Sequence, residues 1–164
     1  MSWESSIKGF KSYLQIERSL SDNSVQAYIR DIKKFANYAI PLKLNELKIQ
    51  RENISDFLAE LKDDGISARS QARVISGIKA FYKYLIIEDY IKYDPTELIE
   101  SPKVGFKLPD TLSLIEINKL ISAVDLSNKQ GERNRAILET LYSCGLRVSE
   151  LTNLKLSNIY FNEG

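Results

Sequence analysis

Histidine is missing from the 164 residues, and cysteine, methionine and tryptophan occur once each. Without histidine the chain lacks the commonest general base and metal ligand, and neither a metal site nor a cofactor is expected. The lone cysteine, Cys144, excludes an internal disulfide and suits a reducing compartment; beside a helix end it reads as a small buried hydrophobe. No stretch approaches the roughly 18 apolar residues that cross a bilayer, and no signal peptide opens the chain. A bacterial cytoplasmic location is expected, with no membrane partner. Neither sign of charge dominates: 23 Lys and Arg against 22 Asp and Glu leave +1, which by itself does not point to nucleic acid. With 43% hydrophobic and 27% charged residues, the balance is that of a globular chain with an ample core, either one domain or a small domain plus part of another.

Four prolines and seven glycines are few enough to act as punctuation. Over residues 3–17, Trp3, Ile7, Phe10 and Leu14 recur at spacings of three and four, the pattern of an amphipathic helix. Ser21-Asp22-Asn23-Ser24 can cap a second helix running to about Ala39, with Val25, Ile29, Ile32 and Ala36 on one face and Pro41 closing it. A third covers roughly 51–63 (Ile54, Phe57, Leu58, Leu61) and stops at Gly65. Ser67 can cap a fourth, to about Ile87, and Asp94-Pro95 opens a short fifth. Four or five such helices with short connections form a bundle.

From Glu100 to Asp110 two prolines, a glycine and no periodicity read as a linker. Ser113-Leu114-Ile115-Glu116 is a capping-box pattern that opens a helix bearing Ile117, Leu120, Ile121 and Val124. A further helix spans about 131–143 and ends at Gly145. Asn158–Phe161 reads as an incipient strand before a turn at Asn162-Glu163-Gly164, so the chain reads as cut rather than finished.

The fourth helix has an uneven charge distribution. From Ile66 to Ile87 there are four basic residues and no acidic one. With Arg69 at zero on a helical wheel, Arg73 falls near ~40°, Lys79 near ~280° and Lys83 near ~320°, opposite Val74, Ile78, Phe81 and Leu85. Ser70 and Gln71 add hydrogen-bonding groups near the helix start. On the second helix, Arg30, Lys33 and Lys34 lie on a flank away from Val25, Ile29 and Ile32. An acid-free cationic stripe suits phosphate and base-edge contacts, although a solvated face has the same composition.

The densest motif is Leu141-Tyr142-Ser143-Cys144-Gly145-Leu146-Arg147-Val148-Ser149-Glu150-Leu151, in which Arg147 and Glu150 follow a helix break three residues apart. An arginine there can clamp phosphate oxygens bidentately and stabilise the charge that builds on them during phosphodiester cleavage. Glu150 lies one helical turn on, within reach to orient it. An isolated Arg-x-x-Glu is also a common surface pair.

In its context, preceded by Arg133-Asn134-Arg135-Ala136-Ile137-Leu138, this stretch resembles the first active-site motif of the tyrosine recombinases, the Xer and phage-integrase family. Ser21-x-x-Ser24-x-x-x-Tyr28-x-x-Asp31-Ile32-x-x-Phe35 is similar to the second-helix pattern of that family's core-binding domain. Arg69-Ser70-x-x-Arg73-x-x-Ser76-x-x-Lys79-x-Phe81-Tyr82-x-Tyr84-Leu85 looks like its fourth helix. Asp94-Pro95, Ser101-Pro102-Lys103 and Leu108-Pro109 match the passage into the catalytic domain. The matches are collinear and cover nearly the whole chain.

The resemblance implies a mainly α fold: a SAM-like core-binding bundle over 1–100, a linker over 101–112, and over 113–164 the incomplete start of an α+β catalytic domain. It implies site-specific recombination of double-stranded DNA in a synaptic tetramer of recombinase protomers. Cleavage there proceeds through a 3′-phosphotyrosyl link without metal or ATP. Arg69, Ser70, Arg73, Lys79, Lys83, Arg30, Lys33 and Lys34 become the expected DNA contacts. Arg147 becomes the first phosphate-binding arginine, with Glu150 in support. The family's lysine hairpin, His-x-x-Arg motif and nucleophilic tyrosine fall beyond residue 164. Tyr28, Tyr82 and Tyr84 belong to the bundle, no nucleophile is assigned, and the chain as it stands is not expected to cleave DNA. Chromosome-dimer resolution in cell division and mobile-element integration stay open as roles. So do two other classes, a non-catalytic DNA-binding or regulatory module and a helical protein–protein adaptor.

Overall fold

A computed structural model describes residues 2–105 and 108–160. The chain divides into two compact units, Met1–Phe106 and Lys107–Gly164. Among the described residues every regular element is helical.

The first unit holds α1 (Trp3–Ile16), α2 (Asp22–Ala39), α3 (Arg51–Asp63) and α4 (Ala68–Ile87). Their starts follow local chemistry. Ser2 Oγ accepts from the Ser5 amide, Asn53 Oδ1 from the Gln50 amide at 3.0 Å, and Ser67 Oγ from the Ser70 amide at 3.3 Å. Ser21 holds the cap position of α2 without bonding the backbone; its hydroxyl meets that of Ser24 at 3.1 Å. The third helix ends at Gly65, as its sequence position requires.

The buried faces carry the predicted residues. Trp3, Phe10 and Leu14 come from α1, Val25, Ile29, Ile32 and Phe35 from α2, Ile54, Phe57 and Leu61 from α3. Helix α4 is the spine, burying Val74, Ile75, Ile78, Phe81, Tyr82, Tyr84 and Leu85 and packing on all three others. Its Phe81 stacks on Trp3 with centroids 6.0 Å apart and meets Phe10 edge-on at 5.4 Å. Two buried polar groups pair with Glu46: Ser6 Oγ donates to Glu46 Oε1 at 3.1 Å, and the Tyr82 hydroxyl donates to the Glu46 carbonyl at 3.2 Å.

No fifth helix starts at Asp94-Pro95. Asp94 Oδ1 instead accepts from the Thr96 amide at 2.8 Å and the Thr96 hydroxyl at 2.6 Å, which folds 95–98 into turns. Ile91 and Ile99, both buried, tie this segment to the bundle.

The second unit holds α5 (Leu114–Ser122), α6 (Gly131–Cys144), α7 (Val148–Thr152) and a 3₁₀ turn at Leu156–Asn158. The capping box forms: the Glu116 amide donates to Ser113 Oγ at 3.3 Å, and the Ser113 amide to Glu116 Oε2 at 2.8 Å. Those bonds hold the Glu116 carboxyl below its ordinary range. Helix α5 packs on α6, and α6 on α7, yet Gly131 is the one buried residue among those described in this unit. Leu114, Ile115, Leu120, Ile137, Val148 and Leu156 remain exposed, and so does Cys144, against the expectation that it would be buried.

The expected strand at 158–161 does not form over its described part. Asn158 closes the 3₁₀ turn by donating to the Lys155 carbonyl at 2.9 Å, and Ile159 beyond it has extended geometry. Phe161 and the expected turn at 162–164 lie outside the described residues, as do Phe106 and Lys107 of the linker stretch.

Candidate nucleic-acid interface and phosphate site

Helix α4 turns its apolar stripe into the bundle, and its cations come out on the other side. Arg69, Arg73 and Lys83 are exposed and Lys79 is half-buried. Arg30, Lys33 and Lys34 are exposed on α2, the helix packed alongside. The eight side chains proposed from sequence for DNA therefore sit on two neighbouring helices.

Their environments differ. Arg73 Nη1 donates to Asp31 Oδ2 at 2.5 Å, an ion pair between a guanidinium 47% exposed and a carboxylate 3% exposed. The acid-free reading of α4 holds along the helix itself, but its neighbour supplies an acid 42 residues away. Sequence carries no direct signal of that pairing. Asp31 Oδ1 is buried and finds no partner among the described residues. Burial pushes the Asp31 carboxyl above its ordinary range, opposed by the charge and hydrogen bond of Arg73 and then by Lys34 and Arg30.

Gly77 makes this approach possible. A Cβ on it would lie 2.7 Å from Asp31 Cβ, inside any real contact, so α2 and α4 cross where one side chain has been deleted. Ser24, Ala27, Tyr28, Asp31, Arg73 and Ser76 line a groove of about 230 Å³ there.

Two polar groups read as groove-facing have local roles. Gln71 Nε2 donates to the Ile66 carbonyl at 2.6 Å, and Ser70 Oγ accepts from the Ser67 hydroxyl at 3.1 Å while its amide is capped. Ser70 remains half-buried at the start of the helix.

On the other flank of α4, Lys79 and Lys83 share a cleft with Arg18, which follows α1 and was not singled out from sequence. The lone cation in Glu17-Arg18-Ser19 gave no periodic signal.

Tyr82 and Tyr84 of the bundle are poor nucleophiles. Burial pushes the Tyr84 hydroxyl up to about 12 and that of Tyr82 higher still, and Tyr82 is spent on the Glu46 carbonyl.

In the second unit, α6 ends at Gly145, whose φ of 62° is left-handed and turns the chain sharply. Arg147 then takes extended geometry at the cap of α7. Glu150 holds it twice: Oε2 accepts from the Arg147 amide at 2.7 Å and Oε1 from Nη1 at 3.0 Å. The guanidinium side chain is 82% exposed, so the pair contributes little to stability and mainly fixes direction. One Nη1 bond leaves the remaining guanidinium donors open for an anion.

Residues 7–89 match the family model described as the N-terminal SAM-like domain of phage integrases, and residues 111–164 match that of the phage integrase family. Tyrosine recombinase XerD of Staphylococcus aureus (strain Mu50) is 42% identical over 157 residues, and XerD of Staphylococcus haemolyticus (strain JCSC1435) is 41% identical over the same length. Each alignment covers 95% of this chain and 53% of the relative, so the chain spans about half the length of the curated relatives it matches. The integrase of mycobacterium phage Brujita shares the fold, with a TM-score of 0.55 at 22% identity over 91% of this chain and 48% of that one. With the SAM-like model matching half of the chain and the integrase model most of the rest, the chain belongs to the phage integrase family of tyrosine recombinases.

Proposed function

We propose that the first unit is the core-binding domain of an Xer-like site-specific recombinase and grips double-stranded DNA with α2 and α4. The observation that carries this reading is the exposed cationic face of α4, opposite its buried stripe and free of acids of its own. Arg69 and Arg73 lie in the first two turns, where a helix entering a major groove by its N-terminal end presents side chains to base edges. Lys79, Lys83, Arg30, Lys33 and Lys34 fit phosphate contacts, which set register and supply most of the affinity.

The second unit, in this reading, opens the catalytic domain. Arg147 binds the non-bridging oxygens of the scissile phosphate, and Glu150 presents its guanidinium in a fixed direction. The complete enzyme cleaves and rejoins strands through a 3′-phosphotyrosyl link in a synaptic tetramer. These 164 residues supply recognition and the first arginine but no primed tyrosine. The described residues also hold no group of three or more His, Cys, Asp or Glu placed to bind a metal.

Amide chemical-shift mapping of the chain on titration with duplex DNA tests the interface. Shifts concentrated in α2 and α4 are expected. Shifts centred on α3, or none at all, would remove the interface and favour a protein–protein adaptor.

A further inference from the structure

The cleft between the end of α1 and the outer flank of α4 is a second, separate feature of the cationic surface. It encloses about 150 Å³ and is lined by Tyr13, Leu14, Arg18, Leu20, Tyr28, Lys79, Ala80 and Lys83. Three of those residues are cations and none is an acid. Glu17, beside Arg18 in the chain, does not line the cleft.

None of the three makes an ion pair among the described residues. Their ion pairs are Arg73 with Asp31, Arg135 with Glu139, and Arg147 with Glu150. Lys79 and Lys83 stand one turn apart, a like-charge spacing that is mildly unfavourable on a helix, and Arg18 adds a third positive charge. The backbone is bent to put it there. Arg18 N–H donates to the Tyr13 carbonyl at 3.1 Å, and the next residue, Ser19, takes a left-handed φ of 46°.

Tyr13 lines the cleft and is mostly buried. Its ring is fixed by Phe10 at 6.5 Å and Tyr84 at 5.3 Å, and Tyr28 packs edge-on to Phe10 at 6.4 Å. Aromatic walls and three cations with no ion pair among the described residues together describe an anion site.

We propose that this cleft binds one backbone phosphate of the DNA duplex, outside the groove that α4 enters. The proposal rests on the interface reading above. Helix geometry separates the two roles: Lys83 lies fourteen residues beyond Arg69, about 21 Å along the axis. The major groove is about 12 Å wide. A helix whose first turns lie in the groove therefore carries its last turns past the rim, where the neighbouring phosphates run. Arg69 and Arg73 face bases, and Arg18, Lys79 and Lys83 face the strand.

The test compares the 164-residue chain with its Arg18→Gln variant, binding a duplex oligonucleotide over a range of salt. The change lies at the surface, and circular dichroism of the variant checks the fold. Lys79 and Lys83 are left in place because the α2–α4 interface already uses them. Loss of one phosphate contact lowers the slope of log Kd against log salt by about 0.9. Discrimination between duplexes of different sequence is expected to stay the same. A variant with wild-type slope and affinity would overturn the cleft while leaving the α2–α4 interface intact. Salt-insensitive or absent binding by the wild-type chain would overturn the interface reading itself, and the cleft with it.

Discussion

Asp31 and Arg73 join α2 to α4 through a 2.5 Å ion pair in which the acid is buried and the base is half in solvent. One side of the pair belongs to the core and the other to the proposed DNA surface, so a substitution at Arg73 acts on both. Arg73→Ala strands a buried carboxylate whose second oxygen already lacks a partner. We expect it to lower folding stability by about 1–3 kcal/mol, toward the low end because Arg73 is half exposed. Arg69→Ala, with no such partner, is expected within about 0.5 kcal/mol of wild type. Urea denaturation of the two variants checks this, and equal stabilities would mean that the pair is not part of the fold.

The raised pKa of Asp31 has a definite sign in the pH dependence of stability. Its ordinary value is about 3.9, and the folded value lies above it. The folded state then holds its proton to higher pH than the unfolded state, so this group's contribution is lost as pH rises through that window. Asp31→Asn removes the titration. The melting temperature of the variant minus that of wild type is expected to rise with pH from about 4 and to level off above the folded pKa. A difference that falls over the same interval would mean that the carboxylate is stabilised, not penalised, by its surroundings.

Gly77 is expected to resist even alanine. In an exposed helix Gly→Ala gains about 1 kcal/mol. Here the new Cβ meets Asp31 Cβ at 2.7 Å, a carbon next to the backbone of α2 with little freedom to withdraw. Overpacking of about 1–3 kcal/mol wins, and Gly77→Ala is expected to melt lower than wild type. A higher melting point would show that α2 can move aside.

Arg147 and Glu150 are expected to behave oppositely to Arg73. Both are surface groups, and Arg147→Ala should leave the melting temperature unchanged and lower the duplex affinity of these 164 residues less than loss of Arg69 and Arg73 does. In the complete enzyme the same change is expected to lower strand cleavage by about 10²–10³. Glu150→Gln should have a smaller effect, because the amide oxygen can still accept one bond from the guanidinium. Full cleavage by Arg147→Ala would remove it from the phosphate site.

Most of the helical architecture was legible because it follows local rules. Apolar spacing placed α1 to α4, Ser113 and Glu116 marked the start of α5, and Gly145 marked the end of α6. The misreadings arose where a side chain outcompeted the helix or strand pattern. Asp94 reads as the start of a helix, but its carboxylate captures Thr96 and makes a turn. Asn158–Phe161 reads as a strand, but over its described part no neighbouring strand is described beside it and Asn158 closes the turn of Leu156–Asn158. Contacts between distant segments were not legible. Nothing at positions 31, 73 and 77 announces that they meet, and nothing near Arg18 announces Lys79 and Lys83. Glycine within α4 was the available hint, since a helix keeps an interior glycine at a cost unless another backbone comes close.

The most direct test of the account is the salt dependence of duplex binding by these 164 residues, followed by fluorescence anisotropy between about 50 and 200 mM salt. A grip by α2 and α4 on several phosphates predicts a linear fall of log affinity with log salt, with a slope of several units that Lys83→Ala makes shallower by about 0.9. Binding that is absent, or indifferent to salt and to Lys83, would contradict it and return the cationic face of α4 to the solvent.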